Sequence, residues 1–217
     1  MAMEKRVAIF DLDGTLVDST HQIYKAMSVA RNSMDLPEVT IHFIAQNLGL
    51  PIMGLIPEKS LPEEDYVKLI SLFRKELLQL ISKENIVYVG ALDFLDELLS
   101  RGWDIAVATS KPQKLAEAVI MNSELQKRVA FIQGTDGFLP KPNPEVIHRC
   151  LTYFESTDAI MFGDRMEDMA AAKSAGIKSV GVMHSTHNEE QLLYMGAKFI
   201  IKNWNEGMKN LNAIISI

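Results

Sequence analysis

The feature that most constrains the fold of this chain is an apolar segment that ends in two aspartates. Residues 7–10 are apolar at every position, and Asp11, Leu12, Asp13 and Gly14 follow directly. A strand that is apolar on both faces is typical of a buried parallel sheet, and open α/β sheets bind ligands at the carboxyl ends of their strands. Charges near a buried strand are costly unless they are paired or bind a cation, so the pattern indicates a chemical site. Asp-Gly is also a common turn dipeptide, which leaves a plain turn open.

Length, charge and cysteine content exclude several classes of function. The 217 residues suit one large domain or a core with a small insert, and 47% hydrophobic residues permit a sizeable core. The net charge is −6 and there is no basic block, so we expect no nucleic-acid partner. No apolar run has membrane-spanning length and no signal-like segment precedes the first strand, so we expect no membrane partner. A single cysteine, Cys150, excludes an internal disulfide and fits a reducing compartment, so we expect a buried, unreactive thiol and a cytoplasmic location. We also expect a monomer or a small homo-oligomer.

Short apolar runs alternate with helical patterns along most of the chain. The predicted strands are 6–10, 104–109, 129–133, 159–162, 178–182 and 198–201. The predicted helices among them are 91–100, 112–122, 144–154, 166–174, 189–195 and 206–214. Alternation of this kind predicts parallel strands joined by right-handed crossovers, with helices on both faces. The predicted fold class is therefore α/β, with a Rossmann-like, doubly wound parallel sheet as its core.

One interval, 17–85, contains no predicted strand. It predicts helices at 19–34, 40–47 and 62–82, separated by prolines and glycines. We therefore predict a catalytic α/β core formed by residues 1–16 and 86–217, and an α-helical cap domain of residues 17–85 inserted at the carboxyl end of the first strand. In that place the cap domain could serve as a lid over the strand ends. A helical domain that contributes only stability is the alternative.

Three further segments place polar residues after predicted strands or in the loops beyond them. Thr109 and Ser110 precede a helix that begins with proline, where hydroxyls either bind an anion or cap the helix. Lys141 lies between two prolines in a loop that cannot continue a helix or a sheet. Asp164 and Asp168 follow another strand. If a helix begins at Arg165, Asp164 caps it and Asp168 lies one turn along on the same side. Acids in a first helical turn also have a structural use with the helix dipole.

Taken in order, these motifs resemble those of the haloacid dehalogenase superfamily. The matching segments are 11–19, 109–112, 141–142 and 163–168. The resemblance spans essentially the whole chain, including a helical cap inserted straight after the first motif. Within the superfamily the chain looks most like the branch of phosphoglycolate phosphatase and β-phosphoglucomutase. The resemblance implies a Mg²⁺-dependent phosphatase that hydrolyses a small phosphomonoester, a phosphorylated metabolite, through an aspartyl phosphate.

The resemblance also implies a role for each residue of the first and last motifs. Asp11 would be the nucleophile, and Asp13 would protonate the leaving oxygen and then take a proton from water. Mg²⁺ would be held by the Asp11 carboxylate, the Asp13 backbone carbonyl and Asp164. Asp168 would act on the metal through a bound water.

The remaining roles concern the phosphoryl group and the local balance of charge. Thr109, Ser110 and the amides around Leu12 and Asp13 would bind the phosphoryl oxygens. Lys141 would bind there too and offset the charge of the crowded acids.

Other activities on the same fold stay open. The second acid, Asp13, favours phosphoryl transfer over dehalogenation. Phosphosugar mutases usually carry a histidine where this chain has Ile23, and a basic residue in the cap loop, which here is the apolar segment 48–54. Both differences from the phosphosugar mutases weaken the hypothesis of a β-phosphoglucomutase-like enzyme. The loop also lacks a cation for the carboxylate of phosphoglycolate, so the substrate stays open and pyrophosphate cleavage remains an alternative.

Two further alternatives are a different kind of metal site and a protein that is not an enzyme. His184 and His187 lie three residues apart and could bind a metal, but no third soft ligand is near them in sequence, and the aspartates suit a hard cation better. A catalytically silent binding protein that kept the fold without turnover is the second alternative.

Overall fold

Six parallel strands form a single sheet in the computed structural model of the chain, which describes residues 5–58, 61–83, 85–184 and 189–217. The strands are β1 (Arg6–Phe10), β2 (Trp103–Ala108), β3 (Phe131–Gln133), β4 (Asp158–Gly163), β5 (Lys178–Val182) and β6 (Phe199–Ile201). Their order across the sheet is β3-β2-β1-β4-β5-β6. The predicted α/β fold with a doubly wound parallel sheet is confirmed.

The order of the strands places β1 at the centre of the sheet. Phe10 pairs with Val107 of β2 on one side and with Phe162 of β4 on the other. The direction in which strands are added to the sheet reverses between β1 and β4, and ligands of such sheets bind at the carboxyl ends of the strands beside that switch point. Residues that follow β1, β2 and β4 are therefore brought to one place.

Three helices lie between β1 and the next helix of the core: α1 (Thr20–Asn32), α2 (Ile41–Gln46) and α3 (Glu63–Ile81), with a 3₁₀ turn at Ile52–Leu55. The later helices are α4 (Ala91–Ser100), α5 (Gln113–Met121), α6 (Glu145–Phe154), α7 (Met166–Ser174), α8 (Glu189–Met195), α9 (Trp204–Lys209) and α10 (Leu211–Ile214), with a second 3₁₀ turn at Glu124–Lys127. None of the described helices is both long enough and apolar enough to cross a bilayer.

The predicted elements are found with shifts of at most two residues at their ends, with one exception. The helix predicted at 206–214 is wrong as a single element, because α9 and α10 are separated at Asn210. The first of them begins two residues earlier than predicted, where the Asn203 side chain accepts a hydrogen bond of 2.9 Å from the Glu206 amide.

Both faces of the sheet are buried, which explains why β1 is apolar at successive positions. Ala8 and Phe10 pack in one cluster with residues of α4 and α9, and the Phe10 ring stacks on Phe162 with 4.7 Å between centroids. Val7 and Ile9 point to the opposite face and pack in a second cluster with α6 and α7. Since successive strand residues alternate between faces, a strand covered on both sides has no place for a polar side chain.

The helices of segment 17–85 share the first of these clusters. The buried face of α3, formed by Leu69, Phe73, Leu77 and Ile81, packs with Ile23, Met27 and Ala30 of α1. Within the described residues, segment 17–85 contains helices and no strand, as predicted. Its division from the core as a separate domain stays a prediction.

Candidate active site

Three aspartates from three segments of the chain meet at the carboxyl edge of the sheet. Asp11 follows β1, Asp164 follows β4, and Asp168 lies in the first turn of α7. All three are buried, and one carboxylate oxygen from each lies within 4.8 Å of the other two. The sequence predicted that these residues share a site, and the structure brings them together.

Lys141 links two of these carboxylates. Its Nζ lies 2.7 Å from Asp11 Oδ1 and 2.5 Å from Asp168 Oδ1, and it also donates to the carbonyl of Ala108 at 3.0 Å. The Lys141–Pro142 peptide bond is cis. The ammonium group is thus fixed by three acceptors at the strand ends, where it offsets the charge of the acids.

Burial and neighbouring charges alter the titration of this pair. Burial raises the pKa of Asp11 to about 6, with Lys141 opposing the rise and Asp168 and Asp13 adding to it. Burial acts to lower the pKa of Lys141, but the charges of Asp11 and Asp168 outweigh it and raise that pKa. The lysine therefore stays protonated at neutral pH.

Asp13 is held by two partners that the sequence did not single out. Ser19 Oγ donates to Asp13 Oδ1 at 2.6 Å, and Lys111 Nζ lies 2.6 Å from Asp13 Oδ2. Both partners are buried. The Asp13 carboxylate is thus fixed in orientation and paired with a cation of its own, separate from Lys141.

The three aspartates fit a hard divalent cation. Mg²⁺ prefers oxygen ligands, and it is commonly bound through one or two carboxylates together with substrate phosphate and water. Asp11, Asp164 and Asp168 supply buried carboxylates at a spacing a single ion could bridge. Asp164 is further oriented by Thr15, whose Oγ1 donates to Asp164 Oδ1 at 2.7 Å. Ligation by the Asp13 carbonyl stays a prediction.

Two glycines make room for these carboxylates. A Cβ added at Gly14, whose φ is +86°, would lie 2.6 Å from Asp164 Oδ2. A Cβ added at Gly163 would lie 2.4 Å from the Asp168 carboxylate carbon. Both distances are shorter than any side chain tolerates, so glycine at these positions is a requirement of the site.

Asp164 does not cap a helix. The helix α7 begins at Met166, as the predicted helix 166–174 does, and its N-cap residue is Arg165. Asp168 occupies the third position of α7, and its Oδ2 accepts a hydrogen bond of 3.0 Å from the Arg165 amide. Because β4 extends to Gly163, Asp164 falls in the turn beside Thr15 instead.

The hydroxyls after β2 do not cap α5 either. Thr109 Oγ1 accepts a hydrogen bond of 3.2 Å from the Lys111 amide, and the first amide of α5, at Gln113, donates to Asp136 Oδ2 at 2.7 Å. The helix is capped by a carboxylate from a distant loop. Thr109 is buried at the carboxyl end of β2, and Ser110 is only partly exposed and lines a neighbouring cavity.

Cys150 and His184 lie outside the cluster of acids. Cys150 is fully buried, and burial raises the pKa of its thiol to about 12, which agrees with the predicted unreactive thiol. His184 stacks on Tyr88 with 4.1 Å between ring centroids, and burial lowers its pKa. His187 lies outside the described residues. Among the described residues the grouping that could hold a metal is the aspartate cluster, and His184 is not part of it.

Sequence reasoning missed four residues that complete the site: Thr15, Ser19, Lys111 and Arg165. All four lie inside the motif segments quoted above, but their side-chain partners depend on the tertiary fold. Arg165 Nη1 donates to the carbonyl of Leu48 at 2.9 Å and thereby connects the core to the cap segment. A polar side chain inside a motif was the signal available for each of the four.

Comparison of the sequence with known protein families identifies the family of this chain. The model of the haloacid dehalogenase-like hydrolases matches residues 8–182, which contain every member of the site. The chain belongs to this family. The resemblance predicted from the motifs is confirmed.

Relatives of this haloacid dehalogenase-like hydrolase match it over nearly its whole length. The probable phosphatase IndB of Dickeya dadantii is 28% identical over 98% of this chain and 96% of its own length. A phosphoglycolate phosphatase of Colwellia psychrerythraea is 27% identical over 94% of this chain and 95% of its own length. The crystal structure of a predicted phosphatase from Clostridium acetobutylicum covers 98% of this chain and 100% of its own, with a TM-score of 0.85 and 28% identity.

Proposed function

We propose that this haloacid dehalogenase-like phosphatase hydrolyses a small phosphomonoester with the help of Mg²⁺ and through a phosphorylated Asp11. The observation that carries the proposal is the buried cluster of Asp11, Asp164 and Asp168 around Lys141 at the switch point of the sheet. Its similarity to proteins named as phosphatases supports the same reaction type.

In the first step Asp11 attacks phosphorus. A carboxylate oxygen of Asp11 forms a bond to the phosphorus atom while the bond from phosphorus to the ester oxygen breaks. Asp13 gives its proton to the departing oxygen, which leaves as an alcohol. Ser19 and Lys111 hold the Asp13 carboxyl group in place for this transfer.

In the second step water releases the phosphoryl group. Asp13, now ionised, takes a proton from a water molecule, whose oxygen attacks phosphorus and displaces the Asp11 carboxylate. Inorganic phosphate leaves, and both aspartates return to their starting protonation states. The ion pair of Asp13 with Lys111 stabilises the ionised form that this step needs.

Fixed positive charge is the main requirement of the reaction, because negative charge is carried by the equatorial phosphoryl oxygens. Lys141 supplies one such charge beside Asp11. Mg²⁺ bound to Asp11 and Asp164, and through water to Asp168, would neutralise a further part of the phosphoryl charge. Thr109, Ser110 and the backbone amides of Leu12 and Asp13 are proposed to donate hydrogen bonds to the phosphoryl oxygens.

The structure gives no support to the mutase alternative. Ile23, which stands where the resemblance expects a histidine in mutases, lines the cavity beside Asp13 with the apolar residues of the cap loop. An apolar wall of this kind does not favour a second phosphate group.

We further propose a cap domain of residues 17–85 over a core of 1–16 and 86–217. We also propose a cytoplasmic location, and a monomer or small homo-oligomer without nucleic-acid or membrane partners.

Hydrolysis of p-nitrophenyl phosphate tests the proposal. We expect turnover with Mg²⁺, loss of turnover with EDTA, and a fall of at least about 10³-fold in Asp11→Asn. Asp93→Asn, which changes an exposed aspartate on α4, is the matched control and should retain full activity. In acid-quenched wild-type enzyme the peptide that contains Asp11 should carry one phosphoryl group.

Several outcomes would contradict the proposal. Equal and negligible release in every sample would favour a silent binding protein, and unchanged turnover in Asp11→Asn would exclude Asp11 as the nucleophile. Pyrophosphate and a hexose phosphate, followed by phosphorus NMR, complete the test. Conversion of the hexose phosphate to an isomer, rather than to free phosphate, would identify a mutase.

A further inference from the structure

A cavity lies between the cap segment (residues 17–85) and the core, directly beside Asp13. Its cap side is formed by apolar side chains of α1, of the segment after α2 and of α3, namely Ile23, Leu50, Ile52, Leu55, Phe73 and Leu77. Its core side adds Pro112 and Leu115 at the start of α5.

The polar groups of the cavity are confined to one end. Asp13, Ser110 and Lys111 form that end, next to the cluster of acids. Among the described residues that line the cavity, Lys111 is the one cation, and its Nζ is already paired with Asp13 Oδ2 at 2.6 Å. The described lining therefore offers no uncommitted positive charge to a ligand.

We propose that this cavity receives the leaving group of the substrate, and that the protein is selective for phosphomonoesters of apolar alcohols. The inference rests on the proposed function, because it takes Asp13 as the group that protonates the departing oxygen. An ester oxygen within reach of Asp13 places the atoms attached to it in the adjoining space, which is this cavity. The leaving group then lies against Ile23, Leu50 and Phe73.

The lining selects against charged leaving groups. A carboxylate placed among apolar side chains loses its hydration without gaining a partner, which is costly. An apolar group of the same shape loses no hydrogen bonds and buries its own surface. Each methylene of the leaving group should therefore raise kcat/KM by roughly fourfold until the cavity is filled.

An isosteric pair of substrates tests the inference. Isobutyl phosphate and 2-phosphoglycolate have the same arrangement of heavy atoms beyond the ester oxygen, but the first ends in two methyl groups and the second in a carboxylate. We expect the Mg²⁺-loaded wild-type enzyme to favour isobutyl phosphate by at least about tenfold in kcat/KM. Ethyl, propyl and butyl phosphate should show a stepwise rise.

A lysine in the lining should shift this preference. Ile52→Lys introduces a cation on the cap side of the cavity, and we expect it to lower kcat/KM for isobutyl phosphate and to raise it for 2-phosphoglycolate. Met53→Lys is the matched control, since Met53 lies in the same 3₁₀ turn, is 54% exposed and does not line the cavity. The control should keep the wild-type ratio.

The wild-type enzyme alone decides the inference, even if Ile52→Lys fails to fold. The deciding quantity is kcat/KM for isobutyl phosphate divided by kcat/KM for 2-phosphoglycolate. A kcat/KM for 2-phosphoglycolate equal to or above that for isobutyl phosphate would overturn it, while Asp11-dependent hydrolysis of p-nitrophenyl phosphate would leave the proposed function standing. If no ester of any kind were hydrolysed, the proposed function would fail, and the inference with it.

Discussion

Arg165 of the core is hydrogen-bonded to the backbone of Leu48 in the cap segment, with 2.9 Å between Nη1 and the carbonyl oxygen. The arginine directly follows Asp164, one of the clustered aspartates, and Leu48 opens the loop that lines the cavity. The side chain passes so close to Gly49 that a Cβ added there would lie 2.9 Å from Arg165 Cδ. A single buried side chain therefore connects the acidic cluster to the wall of the proposed leaving-group cavity.

Replacing Arg165 should weaken substrate binding more than it slows chemistry. In Arg165→Ala the cap loop loses a charge-assisted hydrogen bond, so we expect kcat/KM for p-nitrophenyl phosphate to fall about tenfold, mainly through KM. Arg149→Ala removes an exposed ion pair on α6 and serves as the control. Steady-state kinetics of both variants check the prediction, and an unchanged KM in Arg165→Ala would contradict it.

Replacing Gly163 should displace Asp168 and disable the site. In Gly163→Ala the new methyl group would lie 2.4 Å from the Asp168 carboxylate carbon, so Asp168 must move away from Lys141. We expect kcat to fall on the order of 10²-fold, the loss typical of one misplaced electrostatic group. The kcat of Gly163→Ala tests this prediction, and its thermal unfolding midpoint, measured in parallel, shows whether the variant is folded.

The control for Gly163 is another strand glycine. In Gly181→Ala, on β5, the atoms nearest to the methyl group would belong to the side chains of Ile200 and Leu192, at 2.6 and 2.9 Å. This variant should lose stability and keep the kcat of its folded fraction. Similar losses of kcat in the two variants would show that packing, and not the position of Asp168, explains the effect.

Removing the charge of Lys111 should slow the reaction while the protein stays folded. In Lys111→Met the buried Asp13 carboxylate loses its ion pair, and the second step loses the cation that favours ionised Asp13. We expect kcat to fall by about 10- to 100-fold. Lys111→Arg should restore part of the activity, and Lys114→Met, an exposed position on α5, should retain it all. A kcat unchanged in Lys111→Met would remove Lys111 from the mechanism.

The sequence was sufficient for most of the fold because its signals are local. The run at 7–10 is apolar at each position since both faces of β1 are covered, and that pattern needs no knowledge of the neighbours. The same holds for the acids that follow β1 and β4, because parallel strands bring their carboxyl ends to one edge. Asp11, Asp164 and Asp168 could thus be grouped from their places after or near strand ends.

The partners of those acids could not be predicted in the same way. Lys111 and Asp13 are 98 residues apart, and Arg165 and Leu48 are 117 apart, so each contact depends on how the cap and the core pack. The side-chain partner of Asp164 could not be predicted for a related reason. Asp164 had a better partner in Thr15, from a segment 149 residues away, than in the helix that follows it.

Glu58 should stabilise the cap segment through a buried arginine, and this contribution should depend on pH. Arg31 on α1 is 1% exposed, and its guanidinium donates two hydrogen bonds to the Glu58 carboxylate. The hydrogen bonds from Arg31 hold the pKa of Glu58 below its ordinary value. A carboxyl group whose pKa is lower in the folded state stabilises the protein above its unfolded pKa, near 4.5, and loses that contribution as pH falls through the folded value.

The variant Glu58→Gln should therefore be less stable at neutral pH and less different from wild type in acid. Because Glu58 is about one quarter exposed, we expect a loss of about 2 kcal/mol at pH 7, below that of a fully buried pair. The difference in free energy of unfolding should shrink as the pH falls below about 4.5. Urea unfolding of the wild type and of Glu58→Gln, from neutral pH down to below pH 4.5, measures this difference in free energy. Glu38→Gln, at an exposed position in the same segment, is the control. A difference that is constant with pH would show that the Glu58 charge is not what stabilises this segment.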